Sequence, residues 1–130
     1  MTAKQTMNSN HKCILIVDDE EQIRTLIINI FDMMRADYQV VTAPDGHLAI
    51  NRLMQQRFDL VLTDWHMDDM DGLELAEIIR NMLPDMRILL MTGSPLSNLD
   101  SKAKSLFVGW IEKPFTPIHI LDVIAKALLN

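Results

Sequence analysis

Cysteine is almost absent. Cys13 stands alone in 130 residues, so no internal disulfide can form, and a reducing compartment such as the cytoplasm is the simplest setting. A lone Cys in an apolar run reads as a small core hydrophobe rather than a metal ligand or nucleophile. Long apolar runs are missing too: nothing approaches the roughly 20 consecutive apolar residues of a membrane-spanning helix. The polar opening over residues 1–11 lacks the apolar stretch of a signal peptide, so a flexible tail on a soluble protein is expected. Positive charge is scarce, with 12 Lys and Arg against 18 Asp and Glu and a net charge of −6. That balance opposes binding to nucleic acid or to an anionic membrane. Repeats, low-complexity segments and interdomain linkers are also lacking, which leaves one domain over residues 12–130.

What remains is a globular balance, 48% apolar and 23% charged, long enough to bury a continuous core. Short apolar, β-branched runs at 13–17, 38–42, 60–63, 87–91 and 108–111 alternate with helical patterns. That rhythm predicts an α/β fold: a five-stranded parallel sheet with helices on both faces. Ile23, Leu26, Ile27, Ile30 and Met34 mark the apolar stripe of a first helix. Ala49, Ile50 and Leu53 mark a second, near 45–56. Leu75, Ile78, Ile79 and Met82 mark a third, which the turn at Pro84 ends. A weakly anchored fourth helix is expected over 97–107. Thr116 as N-cap and Pro117 at the first position open a fifth. Ile118, Ile120, Leu121, Val123, Ile124, Ala127 and Leu128 cover more of that helix than one core face needs. It is either wedged deeply between neighbours or carries a second surface for a homodimer or effector partner. His11, His47 and His119 are expected to face solvent.

In an open parallel sheet, ligands bind beyond the carboxyl ends of the strands. The first strand runs into Asp18 and Asp19, the third into Asp64, the fourth into Thr92 and Gly93, and the fifth leads to Lys113 and Pro114. Each has an ordinary explanation as a cap, turn or strand end. Together they gather three carboxylates that repel one another unless a cation intervenes. Mg2+ suits a site of few carboxylates, being a hard ion that prefers oxygen ligands and keeps some of its water. With the ion and the Lys113 ammonium, the site would carry no formal net charge.

The segments Ile14-Leu-Ile-Val-Asp-Asp-Glu20, Asp64-Trp-His-Met-Asp-Asp-Met-Asp-Gly72, Met91-Thr-Gly93 and Lys113-Pro-Phe115 resemble, in order and spacing, the signature blocks of receiver domains of two-component response regulators. The resemblance spans about residues 12–130 and implies the doubly wound flavodoxin-like (βα)5 fold. It further implies Asp64 as phosphoacceptor, supplied by a sensor histidine kinase or phosphotransfer protein. Mg2+, for which Mn2+ could substitute, would be held by Asp19 directly, by Asp18 largely through water, by Asp64 and by the backbone carbonyl of His66. Thr92 and Lys113 would contact the phosphoryl oxygens, Lys113-Pro114 would be a cis peptide, and Trp110 would be the switch aromatic that responds to Thr92. Such a domain is no enzyme beyond its own phosphorylation and dephosphorylation.

The chain departs from the family pattern in two places. Asp68 stands where these receivers usually carry Pro, adding a carboxylate that we expect to face solvent, and Leu106 replaces a Gly, which leaves the end of the fourth helix undefined. Rival readings fit less of the sequence. A haloacid-dehalogenase-like phosphatase wants Asp at the position of His66, and a cobalamin-binding Asp-x-His-x-x-Gly motif wants Gly at Asp69. An interaction-only pseudo-receiver would not need the full set of polar residues.

Overall fold

A computed structural model of the chain describes residues 11–129; residues 1–10 of the expected tail lie outside the described residues. Five strands form one parallel sheet: β1 (Lys12–Val17), β2 (Tyr38–Ala43), β3 (Leu60–Asp64), β4 (Ile88–Thr92) and β5 (Gly109–Glu112), in the order β2-β1-β3-β4-β5. Each strand lies within one residue of the expected limits, and the extra residues at the carboxyl ends of β3 and β4 are Asp64 and Thr92 themselves. Chain order reverses between β1 and β3, which opens a crevice beyond their carboxyl ends.

The near-continuous apolar runs of the central strands follow from burial on both faces. Leu15, Val17, Val61 and Leu90 point to one side, against Ala49 and Leu53 of α2 (Gly46–Gln55) and Leu75, Ala76 and Ile79 of α3 (Gly72–Met82). Ile14, Ile16, Leu62 and Met91 point to the other, against Ile27, Ile30 and Phe31 of α1 (Glu21–Met33) and Ile120, Ile124 and Ala127 of α5 (Pro117–Leu129). Cys13 is buried as expected, its Sγ accepting from Gln56 Nε2 at 3.4 Å. Burial pushes its thiol pKa up, which keeps it unreactive.

Capping explains where the helices start. Asp45 accepts from the Leu48 amide at 2.8 Å, and Thr116 Oγ1 from the His119 amide at 3.1 Å, as the Thr116-Pro117 pair predicts. Asp71 and Glu74 form a reciprocal capping box at the head of α3.

Four expectations need correction, the first being Met82, expected on the apolar stripe of α3 but 39% exposed at the last residue of that helix. In α1, Leu26 and Met34 face outward at 46% and 43% exposure. The buried stripe is instead Ile27, Ile30 and Phe31, because Met34 already lies beyond the last helical turn. The fourth helix does not span 97–107. It divides into a 3-10 turn at Leu96–Asn98 and a single α turn, α4, at Ser101–Lys104. Buried Leu99 separates the two, Asp100 caps a fresh start by accepting from the Ala103 amide at 2.7 Å, and three-residue hydrogen bonds to Leu106 and Phe107 close the turn. His47 and His119 are exposed, but His11 is half-buried with Nε2 3.3 Å from Asp37. In α5, burial accounts for most of the apolar arc, since only Ile118 and Leu129 stand well out, near opposite ends of the helix.

One side chain ties the irregular segment down. Arg80 in α3 donates to the carbonyls of Pro84 and Met86 at 2.7 and 2.6 Å and to that of Leu106 at 2.7 Å. It thereby joins the turn before β4 to the turn before β5. Arg80→Ala should lower stability by about 1.5–3 kcal/mol, the range for hydrogen bonds involving a charged group. The urea midpoint measures it, and Arg80→Lys should recover only part, because an ammonium cannot reproduce the fork.

Candidate functional site

The sheet brings the expected polar residues to one edge through its own ladder. The Asp18 amide bonds the Ala43 carbonyl at 3.2 Å, the Trp65 amide that of Met91 at 3.0 Å, and the Lys113 amide that of Thr92 at 2.8 Å. Each strand end is therefore held by its neighbour, and the side chains start from fixed backbone. Gly72 adds a further constraint, since a Cβ there would collide with the Asp64 carbonyl oxygen. The first turn of α3 can thus pack directly on the strand end that presents Asp64, and its amide bonds the Trp65 carbonyl at 2.8 Å.

Asp18, Asp64 and Thr92 are buried, whereas Asp19 is exposed. Lys113 Nζ lies 3.0 Å from Asp64 Oδ1 and 3.2 Å from Asp18 Oδ2, so one ammonium bridges two buried carboxylates. The remaining Asp18 oxygen accepts from the Glu20 amide at 2.9 Å, and Arg24 donates to the Asp18 carbonyl at 2.7 Å. The Lys113-Pro114 peptide is cis, as the resemblance implies.

Burial raises the Asp64 carboxyl pKa and Asp18 raises it further, although hydrogen bonding to Lys113 pulls the other way. For Lys113, burial disfavours the ammonium, yet the hydrogen bond to Asp64 and the charge of Asp18 outweigh it and hold the pKa above its ordinary value. The cation is thus secure, and Asp64 is the strained partner.

Oxygen donors dominate the crevice. Asp18, Asp19 and Glu20 bring carboxylate oxygens within 4.8 Å of one another, next to Asp64, without a thiolate among them. This donor set fits a hard divalent cation such as Mg2+ and not a soft one. Sequence reasoning did not single out Glu20, although it sits in the Asp18-Asp19-Glu20 run.

Thr92 Oγ1 is engaged by the main chain of Ser94. It accepts from the Ser94 amide at 2.9 Å and donates to the Ser94 carbonyl at 3.2 Å. The His66 ring stacks on Trp65 with centroids 4.6 Å apart, and its Nε2 lies 3.0 Å from Ser94 Oγ. Ser94, with no motif of its own, was not visible in the sequence. Trp110 in β5 is surface-exposed at 39%, and Asp68 faces solvent as expected. Asp69, next along, takes a positive φ of 69° and meets His47 Nε2 at 2.9 Å, outside the carboxylate crevice.

The family model of the response regulator receiver domain matches residues 14–125. The chain belongs to that family. Among its relatives, the response regulator receiver protein CpdR of Brucella abortus is 32% identical over 124 residues, covering 91% of this chain and 98% of CpdR. Sporulation initiation phosphotransferase F of Bacillus subtilis is 32% identical over 116 residues, covering 88% of this chain and 92% of its own length. The solved structure of the response regulator TrrA of Thermotoga maritima, in complex with Mg(2+)-BeF, superposes with a TM-score of 0.79 at 29% identity, over 89% of this chain and 98% of that one. Receiver domains are in general switch domains rather than enzymes. Among the described residues of this receiver, no helix is long and apolar enough to cross a membrane.

A raised carboxyl pKa means that the folded receiver binds the Asp64 proton more tightly than the unfolded chain does. Its stabilising contribution is present below the ordinary Asp range and is lost as pH rises through the folded value. At neutral pH without metal, the Asp64 charge therefore weakens the fold. Asp64→Asn should raise the urea midpoint at neutral pH, and its advantage should shrink as pH falls into the carboxyl range. An advantage that stays constant down to acid pH would contradict this assignment.

Proposed function

We propose that this receiver is a phosphoacceptor switch in which Asp64 takes a phosphoryl group from a phosphohistidine of a sensor histidine kinase or phosphotransfer protein. The observation that carries the reading is the Lys113 ammonium bridging buried Asp18 and Asp64 beside an oxygen-rich crevice. A structural ion pair would need one carboxylate, not a set that repels itself. The Mg(2+)-BeF complex of TrrA supports the same chemistry here by similarity.

In this proposal Asp19, Asp64 and the His66 carbonyl hold Mg2+ directly. Asp18, whose oxygens are already engaged by Lys113 and the Glu20 amide, acts largely through water. Mn2+ substitutes, being another ion that accepts oxygen ligands. When bound, the ion offsets charge on the carboxylates and on the incoming phosphoryl oxygens. The rest is positioning. The O–P bond at Asp64 forms as the N–P bond of the donor breaks, with that electron pair leaving on the imidazole nitrogen. Lys113 contacts a phosphoryl oxygen. Thr92 leaves Ser94 to hydrogen-bond another, and the space it vacates admits the exposed Trp110 ring, which remodels the surface of β5 and α5. A homodimer or an effector would read that surface in the cytoplasm. The domain itself turns over nothing but its own phosphoryl group.

With acetyl phosphate and Mg2+, intact-mass spectrometry should show one phosphoryl group on the parent protein. Asp64→Asn should show none, and chelator should abolish labelling of the parent. Labelling of Asp64→Asn at the parental rate, or equal labelling with and without metal, would overturn the proposal.

A further inference from the structure

The hydrogen bonds of Thr92 pose a question that the phosphoacceptor reading leaves open. Both hydrogen-bonding faces of Thr92 Oγ1 are engaged by the main chain of Ser94, which donates to it at 2.9 Å and accepts from it at 3.2 Å. Thr92 can reach a phosphoryl group on Asp64 in only two ways. It abandons Ser94, or the Ser94 peptide shifts and lets it go. The second route depends on how firmly Ser94 is held. Its hydroxyl is 3.0 Å from His66 Nε2, and the His66 ring is braced by stacking at 15° on the buried Trp65 ring, 4.6 Å away. The loop after β4 is thereby fastened to the loop after β3.

We infer that the His66–Ser94 contact is a latch that holds the Ser94 peptide on Thr92 and so biases this receiver toward its unphosphorylated arrangement. The inference rests on the phosphoacceptor reading. His66 acts here through its side chain and through Ser94, as a positioning residue. Because His66 is exposed and Ser94 partly so, water competes for the contact and its effect is modest.

The test is the affinity for beryllofluoride in the presence of Mg2+, measured by titration calorimetry on the full chain, because removing His66 would disturb Trp65 emission. Ser94→Ala keeps the backbone groups that engage Thr92 and deletes only the hydroxyl. It should tighten binding about two- to tenfold, the span set by one net hydrogen bond. His66→Ala should tighten it to a similar degree, and the double variant no further than either single, since both remove one shared contact. His66→Gln, which can still reach the hydroxyl, should return toward the parental affinity. Unchanged or weakened binding in both single variants would overturn the latch, and so would fully additive effects, which would mean that the two side chains act separately. A structural role alone would shift the urea midpoint and leave the affinity in place, which also counts against it. If the parent protein neither labels at Asp64 nor binds beryllofluoride, the phosphoacceptor reading itself fails. A parent that binds while its variants match it removes only the latch.

Discussion

Two buried carboxylates share one ammonium, and much of the site is arranged around that bond pattern. Asp18 and Asp64 come from the ends of neighbouring strands, and Lys113 reaches across from beyond β5 to 3.2 and 3.0 Å of them. The lysine reduces the repulsion without removing it, since a single positive charge faces two negative ones and the exposed Asp19 adds a third. What is left is an unmet demand for positive charge in a crevice built of oxygen. The fold tolerates that tension because double-sided burial of the sheet supplies the stability that the site gives up.

Topology makes the arrangement achievable. A parallel sheet sends every strand end of one kind to one edge, and the reversal of chain order between β1 and β3 leaves a gap between the helices there. Close packing fixes the rest. Gly72 lets α3 approach the Asp64 carbonyl, and Arg80 gathers the turns leading into β4 and β5. Thr92 is also satisfied in this arrangement, because both hydrogen-bonding faces of its hydroxyl are engaged by the main chain of Ser94.

Features governed by local pattern were legible in the sequence. Strand runs, the cap at Thr116, and the carboxylates after β1 and β3 all follow from period, turn chemistry and position. The limits of that reading are physical as well. Residues 96–107 carry no sustained helical period, so where the turn breaks depends on Leu99 finding the core and on Asp100 restarting the helix. Leu26 and Phe31 are both apolar and one or two positions apart in phase, and only packing against the sheet decides which is buried. Ser94 and Glu20 matter through what lies beside them in space. The partnership of Ser94 with His66 links residues 28 positions apart, beyond any local signal.

The most direct measurement of the central claim is a crystal structure of the chain grown with Mg2+ and beryllofluoride. The expected result is beryllium bound to an Asp64 carboxylate oxygen, the ion beside Asp19 and Asp64, Lys113 drawn from Asp18 toward a fluoride, and Thr92 Oγ1 released from Ser94 to meet another. Asp64 still paired with Lys113 and free of beryllium, with Thr92 still on Ser94, would contradict it.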